Sequence, residues 1–139
     1  MGPSFRVTPT LPYGHTQTMT DTVELFDTTL RDGTQGEHVT LSARDKVRIA
    51  QKLDAFGIDV IEGGWPGSNP KDQAFFGEAN GVGWEHAAIC AFGSTRHVSS
   101  APADDPNLQA LIEAQTDVVS IFGKSWTLHV EQALGISQE

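Results

Sequence analysis

The stretch VELFDTTLRDGTQ, residues 23–35, begins as an apolar run and ends in charged and turn-forming residues. The apolar part is typical of a core strand. Charged residues such as Asp27, Arg31 and Asp32 contribute nothing to a hydrophobic core, so their place directly after a strand needs another explanation.

Three further apolar runs follow the first: IDVIEGG (58–64), AAICAF (87–92) and DVVSIF (117–122). Successive runs lie about thirty residues apart, which is the length of one βαβ unit. The four runs therefore predict four strands of a parallel sheet, with a helix between each pair.

The segment between the first two strands predicts a helix with recognisable ends. Ser42 and Asp45 have the spacing of a capping box, and Gly57 stands where a C-terminal glycine is expected. The apolar stripe at helical spacing comprises Val47, Ala50, Leu53 and Phe56. Further helices are predicted over 71–80, 107–115 and 125–135, and the one over 107–115 is preceded by Asp104, Asp105 and Pro106.

Alternating strands and helices predict an α/β protein with a parallel sheet. Two architectures remain open at this point, a doubly wound sheet and part of a (β/α)8 barrel. The sequence contains neither a G-x-G-x-x-G nor a G-x-x-x-x-G-K-[ST] motif, so the dinucleotide-binding and P-loop versions of the open sheet lose their usual support.

Composition limits the classes of partner. The 139 residues carry a formal net charge of -9, and the Lys and Arg residues are scattered, which argues against nucleic-acid and membrane surfaces. The single cysteine, Cys90, lies in an apolar run and is expected to be a buried, inert thiol. No signal peptide or membrane span is evident, so we expect a cytoplasmic protein whose residues 1–21 form a flexible extension.

Each predicted strand is followed by a loop rich in glycine and polar residues. In a parallel sheet these loops gather at the carboxyl edge, where α/β proteins build their sites. The residues expected around this mouth are Arg31, Asp32, Gln35, Glu62, Ser68, Asn69, Ser94, Thr95, Arg96, Lys124 and Ser125.

Arg31 and Asp32 suggest a particular chemistry. Adjacent residues on an extended chain point to opposite faces, so we expect the two side chains to have separate partners. Asp32 is suited to a hard cation, and Arg31 to a carboxylate or an oxyanion. Glu62 repeats the pattern of a charge at the end of an apolar strand.

At this point the motifs FDTTLRDGTQ, IEGGWPGSNPKD, AFGSTR and IFGKSW resemble those of a known family. They resemble the DRE-TIM metallolyase superfamily, and within it the citramalate synthase branch of the isopropylmalate and homocitrate synthase family. The resemblance implies the N-terminal half of a TIM (β/α)8 barrel, about four βα units, with residues 22–139 as a truncated catalytic domain.

The resemblance also implies residue roles. Asp32 would be a ligand of a divalent cation (Mg, Mn or Zn), and Arg31 and Glu62 would be catalytic. Arg31, Gln35, Thr95 and Arg96 would bind an α-keto acid, into which acetyl-CoA is condensed. With pyruvate the product would be citramalate, in branched-chain amino-acid (isoleucine or leucine) biosynthesis, and the full-length enzyme would be a homodimer.

One feature of the family is missing from the sequence. The family completes its metal site with an H-x-H pair, whereas no two of the 5 histidines here are separated by one residue. We therefore expect His97 and His129 to face solvent, further ligands to lie beyond residue 139, and the isolated chain to be inactive. The alternatives are a carbon–carbon lyase like hydroxymethylglutaryl-CoA lyase, and a non-catalytic half-barrel remnant that pairs with itself or with a separately encoded second half.

Overall fold

The computed structural model describes residues 22–137, so the predicted extension over 1–21 lies outside the described residues. Four parallel strands form one sheet: β1 (Phe26–Asp27), β2 (Val60–Gly64), β3 (Ala88–Ser94) and β4 (Val118–Phe122). Their order in the sheet is the order in the chain, β1-β2-β3-β4. A doubly wound sheet reverses its strand order at a switch point, whereas this sequential order is that of the first four strands of a (β/α)8 barrel.

The four predicted strands are confirmed, but the first strand is shorter than predicted. Only Phe26–Asp27 of the run 23–27 pairs as strand, with Phe26 opposite Val60. Leu25 is tied to the next strand differently, because its N–H donates to Asp59 Oδ2 at 2.8 Å and its carbonyl accepts from Asp59 and Val60.

Helix α1 (Ala43–Phe56) confirms the predicted ends. The Ser42 hydroxyl accepts from the Asp45 N–H, the Asp45 carboxylate accepts from the Ser42 N–H, and Gly57 ends the helix at φ 91°. The predicted apolar stripe is only partly right, because Phe56 is 80% exposed. The buried face instead carries Lys46, Val47, Ala50 and Asp54.

Helices α2 (Pro70–Ala79) and α3 (Pro106–Glu113) each begin at a side-chain cap followed by proline. Asn69 Oδ1 accepts from the Lys71 N–H at 2.9 Å, and Asp105 Oδ1 accepts from the N–H groups of Asn107 and Leu108 at 3.0 Å. Carboxylate and amide oxygens satisfy N–H groups that a helix start leaves unpaired, so these loops end at defined positions. The predicted fourth helix is a short α4 (Thr127–His129) that continues as a π-helical turn, Val130–Leu134.

The hydrophobic core lies between the sheet and the helices. Its buried members from the sheet and α2 include Ile61, Ile89, Ala91, Phe75 and Phe76. Because side chains alternate along a strand, Glu62 and Cys90 lie on the opposite face of the sheet, which is the inner face of a barrel. Within residues 22–137, no helix is long and apolar enough to cross a membrane.

Asp54 is a buried carboxylate that ties α1 to the start of β3. It accepts backbone hydrogen bonds from Glu85, His86 and Ala87, at 3.0, 2.8 and 2.7 Å. Burial alone would raise the pKa of this carboxyl, but the three N–H donors outweigh burial and hold the pKa below its ordinary value of 3.8.

This lowered pKa predicts a pH dependence of stability. A carboxyl with a depressed folded-state pKa stabilises the fold above its unfolded-state pKa, and loses that contribution as the pH falls through the folded-state value. Asp54→Asn is therefore expected to lower the free energy of unfolding at pH 7, and the difference from the parent chain is expected to shrink at pH values below 3.8. Urea unfolding of both chains at a series of pH values measures this, and a difference that stays constant with pH would contradict it.

Candidate active site

The loop after β1 places Arg31 and Asp32 at the carboxyl edge of the sheet. The chain turns after Asp27, whose carboxylate accepts from the Thr29 N–H and hydroxyl, and the N–H groups of residues 31–33 donate to the Thr28 carbonyl. Asp32 is helical, with φ -70° and ψ -43°, and precedes the 3-10 turn Gly33–Gln35.

This turn overturns one prediction. Arg31 and Asp32 were expected to avoid each other, yet Arg31 Nη1 donates to Asp32 Oδ1 at 2.5 Å. The expectation assumed an extended chain, in which neighbouring side chains alternate. In the observed turn, adjacent side chains can meet.

Arg31 is held from a second side by Glu62. Arg31 Nε donates to Glu62 Oε2 at 2.7 Å, and the Glu62 side chain is only 1% exposed. The guanidinium carbon lies 4.0 Å from the centroid of the Phe92 ring, a cation–π contact. A guanidinium carries five N–H donors, and these bonds use Nε and Nη1, so Nη2 keeps donors for a ligand. Arg31 thus contacts both Asp32 and Glu62, the other two residues of the predicted constellation.

An aromatic cluster supports the arginine. Phe92 stacks on Phe122 with ring centroids 5.5 Å apart, and Trp65 meets both rings edge to face. The Trp65 Nε1 donates to Asn107 Oδ1 at 2.6 Å. This fixes the indole between the Arg31 site and an adjoining cavity, which the indole helps to line.

The adjoining cavity measures about 700 Å3 and has a largely apolar lining. Its walls are the loops after β2, β3 and β4 together with Leu134 and Ile136, and they include Thr95, Arg96 and Lys124. Thr95 and Arg96 therefore lie at the same edge of the sheet as Arg31, but they line this cavity, whose lining does not include Arg31. The Arg96 Nη1 donates to the carbonyls of His97, Val98 and Ser100, so it braces its own loop.

The remaining predicted residues occupy different surroundings. Gln35 is exposed in the 3-10 turn beside Asp32. Cys90 is buried beside Glu62, which confirms the predicted buried cysteine. Burial and then the Glu62 charge raise the pKa of its thiol to about 11, as expected of an unreactive thiol. His97 and His129 are exposed, as expected.

A divalent cation can be tested against this geometry. The Asp32 carboxylate is half-exposed at the carboxyl edge of the sheet. Its Oδ1 accepts a hydrogen bond from Arg31, so Oδ2 is the oxygen that could bind a cation. Magnesium takes six oxygen ligands, some of which are waters and substrate atoms. In the part of the chain that the structure describes, no group of three or more His, Cys, Asp or Glu could hold a metal ion. Asp32 fits as one ligand of such an ion.

Comparison with known proteins agrees with this geometry. The family model described as HMGL-like matches residues 22–139. The chain belongs to the HMGL-like family. It is 56% identical over 117 residues to an (R)-citramalate synthase of Geobacter sulfurreducens, covering 84% of this chain and 22% of that protein. The corresponding enzyme of Aquifex aeolicus is 53% identical over 121 residues, covering 87% of this chain and 23% of that protein.

A more distant relative of this HMGL-like chain is a probable 2-isopropylmalate synthase of Methanopyrus kandleri, 37% identical over 123 residues that cover 87% of this chain and 22% of that protein. The higher identity to the citramalate synthases agrees with the branch to which the motifs pointed. The chain spans about a fifth of the length of these relatives.

One pair of residues near the site of this HMGL-like chain was not predicted from the sequence. Lys46 on α1 and Asp72 on α2 form a buried ion pair behind the end of β2, directly after Glu62. The burial of Lys46 could have been predicted from its spacing. Lys46 and Asp54 lie four residues to either side of Ala50 and so share the buried face of α1.

Proposed function

We propose that this chain forms the keto-acid-binding wall of a citramalate synthase-like acyltransferase, in which acetyl-CoA is condensed with an α-keto acid. The observation that carries the proposal is the Arg31 guanidinium, held by the buried Glu62 beside the exposed Asp32 at the barrel mouth. Pyruvate is the proposed keto acid and citramalate the proposed product, which would serve branched-chain amino-acid biosynthesis.

Arg31 has the geometry of an oxyanion stabiliser. When a carbon nucleophile attacks the keto carbon, the carbonyl oxygen gains negative charge, and N–H donors already fixed in place stabilise that charge without reorganising. The bond to Glu62 and the contact with Phe92 fix the guanidinium. Asp32 would contribute one ligand to a divalent cation, with other ligands from outside the described residues. When bound, such an ion would polarise the keto acid as a Lewis acid.

The adjoining cavity suits the second substrate. Its volume of about 700 Å3 lies within the range of small-molecule pockets, and its apolar walls suit the pantetheine arm of acetyl-CoA. Lys124 lines the same cavity and provides a positive charge for a phosphate. Thr95 and Arg96 are proposed to contact substrate from the loop after β3, and Gln35 from the turn beside Asp32.

A chimera tests the proposal. Residues 22–137 would replace the matching segment of the Geobacter sulfurreducens (R)-citramalate synthase, and release of the CoA thiol would be measured with acetyl-CoA and pyruvate. We expect pyruvate-dependent CoA release. A folded chimera that releases no CoA from acetyl-CoA and pyruvate would overturn the proposal in favour of a non-catalytic function. A chimera that instead cleaves hydroxymethylglutaryl-CoA would overturn it in favour of a lyase function.

The isolated chain is expected to be inactive. Asp32 is one ligand, and a divalent cation held by a single carboxylate binds weakly. The purified chain with Mg²⁺, Mn²⁺ or Zn²⁺ should therefore release no CoA above a protein-free control, under conditions in which the chimera is active. Pyruvate-dependent CoA release by the isolated chain would contradict this expectation.

A further inference from the structure

The ion pair between α1 and α2 is among the most deeply buried charged groups in the described part of the chain. Lys46 is 3% exposed and Asp72 is 8% exposed. Besides contacting Asp72, Lys46 Nζ donates to the Gly63 carbonyl at 2.9 Å, and Asp72 Oδ2 accepts from the Trp65 N–H at 2.9 Å. Buried charges are costly unless they are paired and hydrogen-bonded, and here the second bond of each partner goes to the backbone after Glu62.

These two backbone contacts lie within and directly after an irregularity in β2. The pairing register between β2 and β3 shifts between Glu62 and Gly64, which is the mark of a bulge. Gly64 has φ 150°, and a Cβ atom there would lie 2.4 Å from the Asp72 carboxyl carbon. Asp72 therefore fills the space in which a side chain would stand, and Gly64 is required by both conformation and space.

The bulge separates two residues of the site. Glu62, before it, binds Arg31, and Trp65, after it, lies between the Arg31 site and the cavity. Bulges redirect side chains, and they are common next to active sites. We propose that Lys46 and Asp72 are positioning residues, which lock this bulge from behind the sheet and so set the directions of the Glu62 carboxylate and the Trp65 indole.

Asp54 is a buried carboxylate with a structural role alone, and it serves for comparison. It also accepts backbone hydrogen bonds, but its partners Glu85, His86 and Ala87 precede β3, at the opposite edge of the sheet from the mouth. Asp54→Asn is therefore a matched control, because it removes a buried charge without touching the bulge.

The test uses ¹⁹F NMR of the full chain labelled with 5-fluorotryptophan, at a temperature where each variant is folded. We expect Lys46→Met to shift or broaden the Trp65 resonance and to leave unchanged that of Trp84, whose indole N–H donates to the Ala79 carbonyl at the far end of α2. Asp54→Asn should lower the unfolding temperature and leave the Trp65 resonance in place.

Asp72→Asn keeps the inference testable if Lys46→Met fails to fold. It keeps an oxygen acceptor for the Trp65 N–H but removes the charge that faces Lys46, so a smaller shift of the same resonance is expected. An unmoved Trp65 resonance in a folded variant at either position, with reduced thermal stability, would overturn the inference and leave the pair a structural role alone.

The inference rests on the proposed function only in treating Glu62 and Trp65 as parts of the catalytic site. The measurement contains no substrate or metal, so an inactive chimera would leave the positioning role intact. An unmoved Trp65 resonance would likewise leave the proposed activity standing.

Discussion

Replacing Gly63 with alanine is expected to lower the free energy of unfolding by about 3 kcal/mol, near the upper end of the usual cost of overpacking a core. A Cβ atom at Gly63 would lie 2.1 Å from Cε1 of Phe75, whose side chain is fully buried. Phe75 packs edge to face against Phe76, so its ring cannot move aside without opening the core between β2 and α2.

Gly77→Ala is the matched control, because the same methyl group is added where nothing lies within 4 Å. Gly77 is an exposed residue inside α2, so alanine there should raise the free energy of unfolding by about 0.5–1 kcal/mol through helix propensity. Urea unfolding followed by far-UV circular dichroism measures both changes. Opposite signs are expected, and a neutral Gly63→Ala would show that the close approach of strand and helix is not maintained in solution.

Local rules explain why much of the fold could be predicted from the sequence. The capping box at Ser42 and the left-handed Gly57 depend on neighbours within a few residues, so their signals lie in the sequence itself. The position of the site followed from strand direction, because parallel strands bring their following loops to one edge. Phe92 could not be found in this way, because its contact with Arg31 depends on how β3 and the loop after β1 align across β2.

The wrong predictions concern features that depend on tertiary contacts, namely which side chains of α1 are buried and which side chain Arg31 contacts. Phe56 continues the apolar stripe of α1 but is exposed, and the helix instead buries Lys46 and Asp54. A buried lysine becomes favourable only when a carboxylate from another helix meets it, and single-helix periodicity contains no information about that partner. The Arg31–Asp32 contact was missed because the turn after β1 ends the alternation expected of a strand.

Arg31→Lys is expected to lower the turnover of the active chimera by about 10²–10³-fold, the usual cost of removing one oxyanion donor. Lysine keeps the positive charge beside Glu62, so a stability effect of burying an unpaired carboxylate is avoided. An ammonium group carries its three N–H donors on one nitrogen at the end of a flexible stem. It lacks the planar fork with which Arg31 bonds Glu62 and Asp32 through different nitrogens and keeps a further nitrogen for the substrate.

Arg48→Lys provides the control for this substitution. Arg48 lies in α1 and its side chain is exposed. Replacing this arginine with lysine should therefore leave the turnover of the chimera unaltered. Steady-state CoA release at saturating and limiting pyruvate separates the two effects of Arg31→Lys. A fall in kcat and in kcat/KM together indicates an interaction made mainly in the transition state, whereas a rise in KM alone would reduce Arg31 to a ground-state substrate-binding group and contradict the oxyanion role.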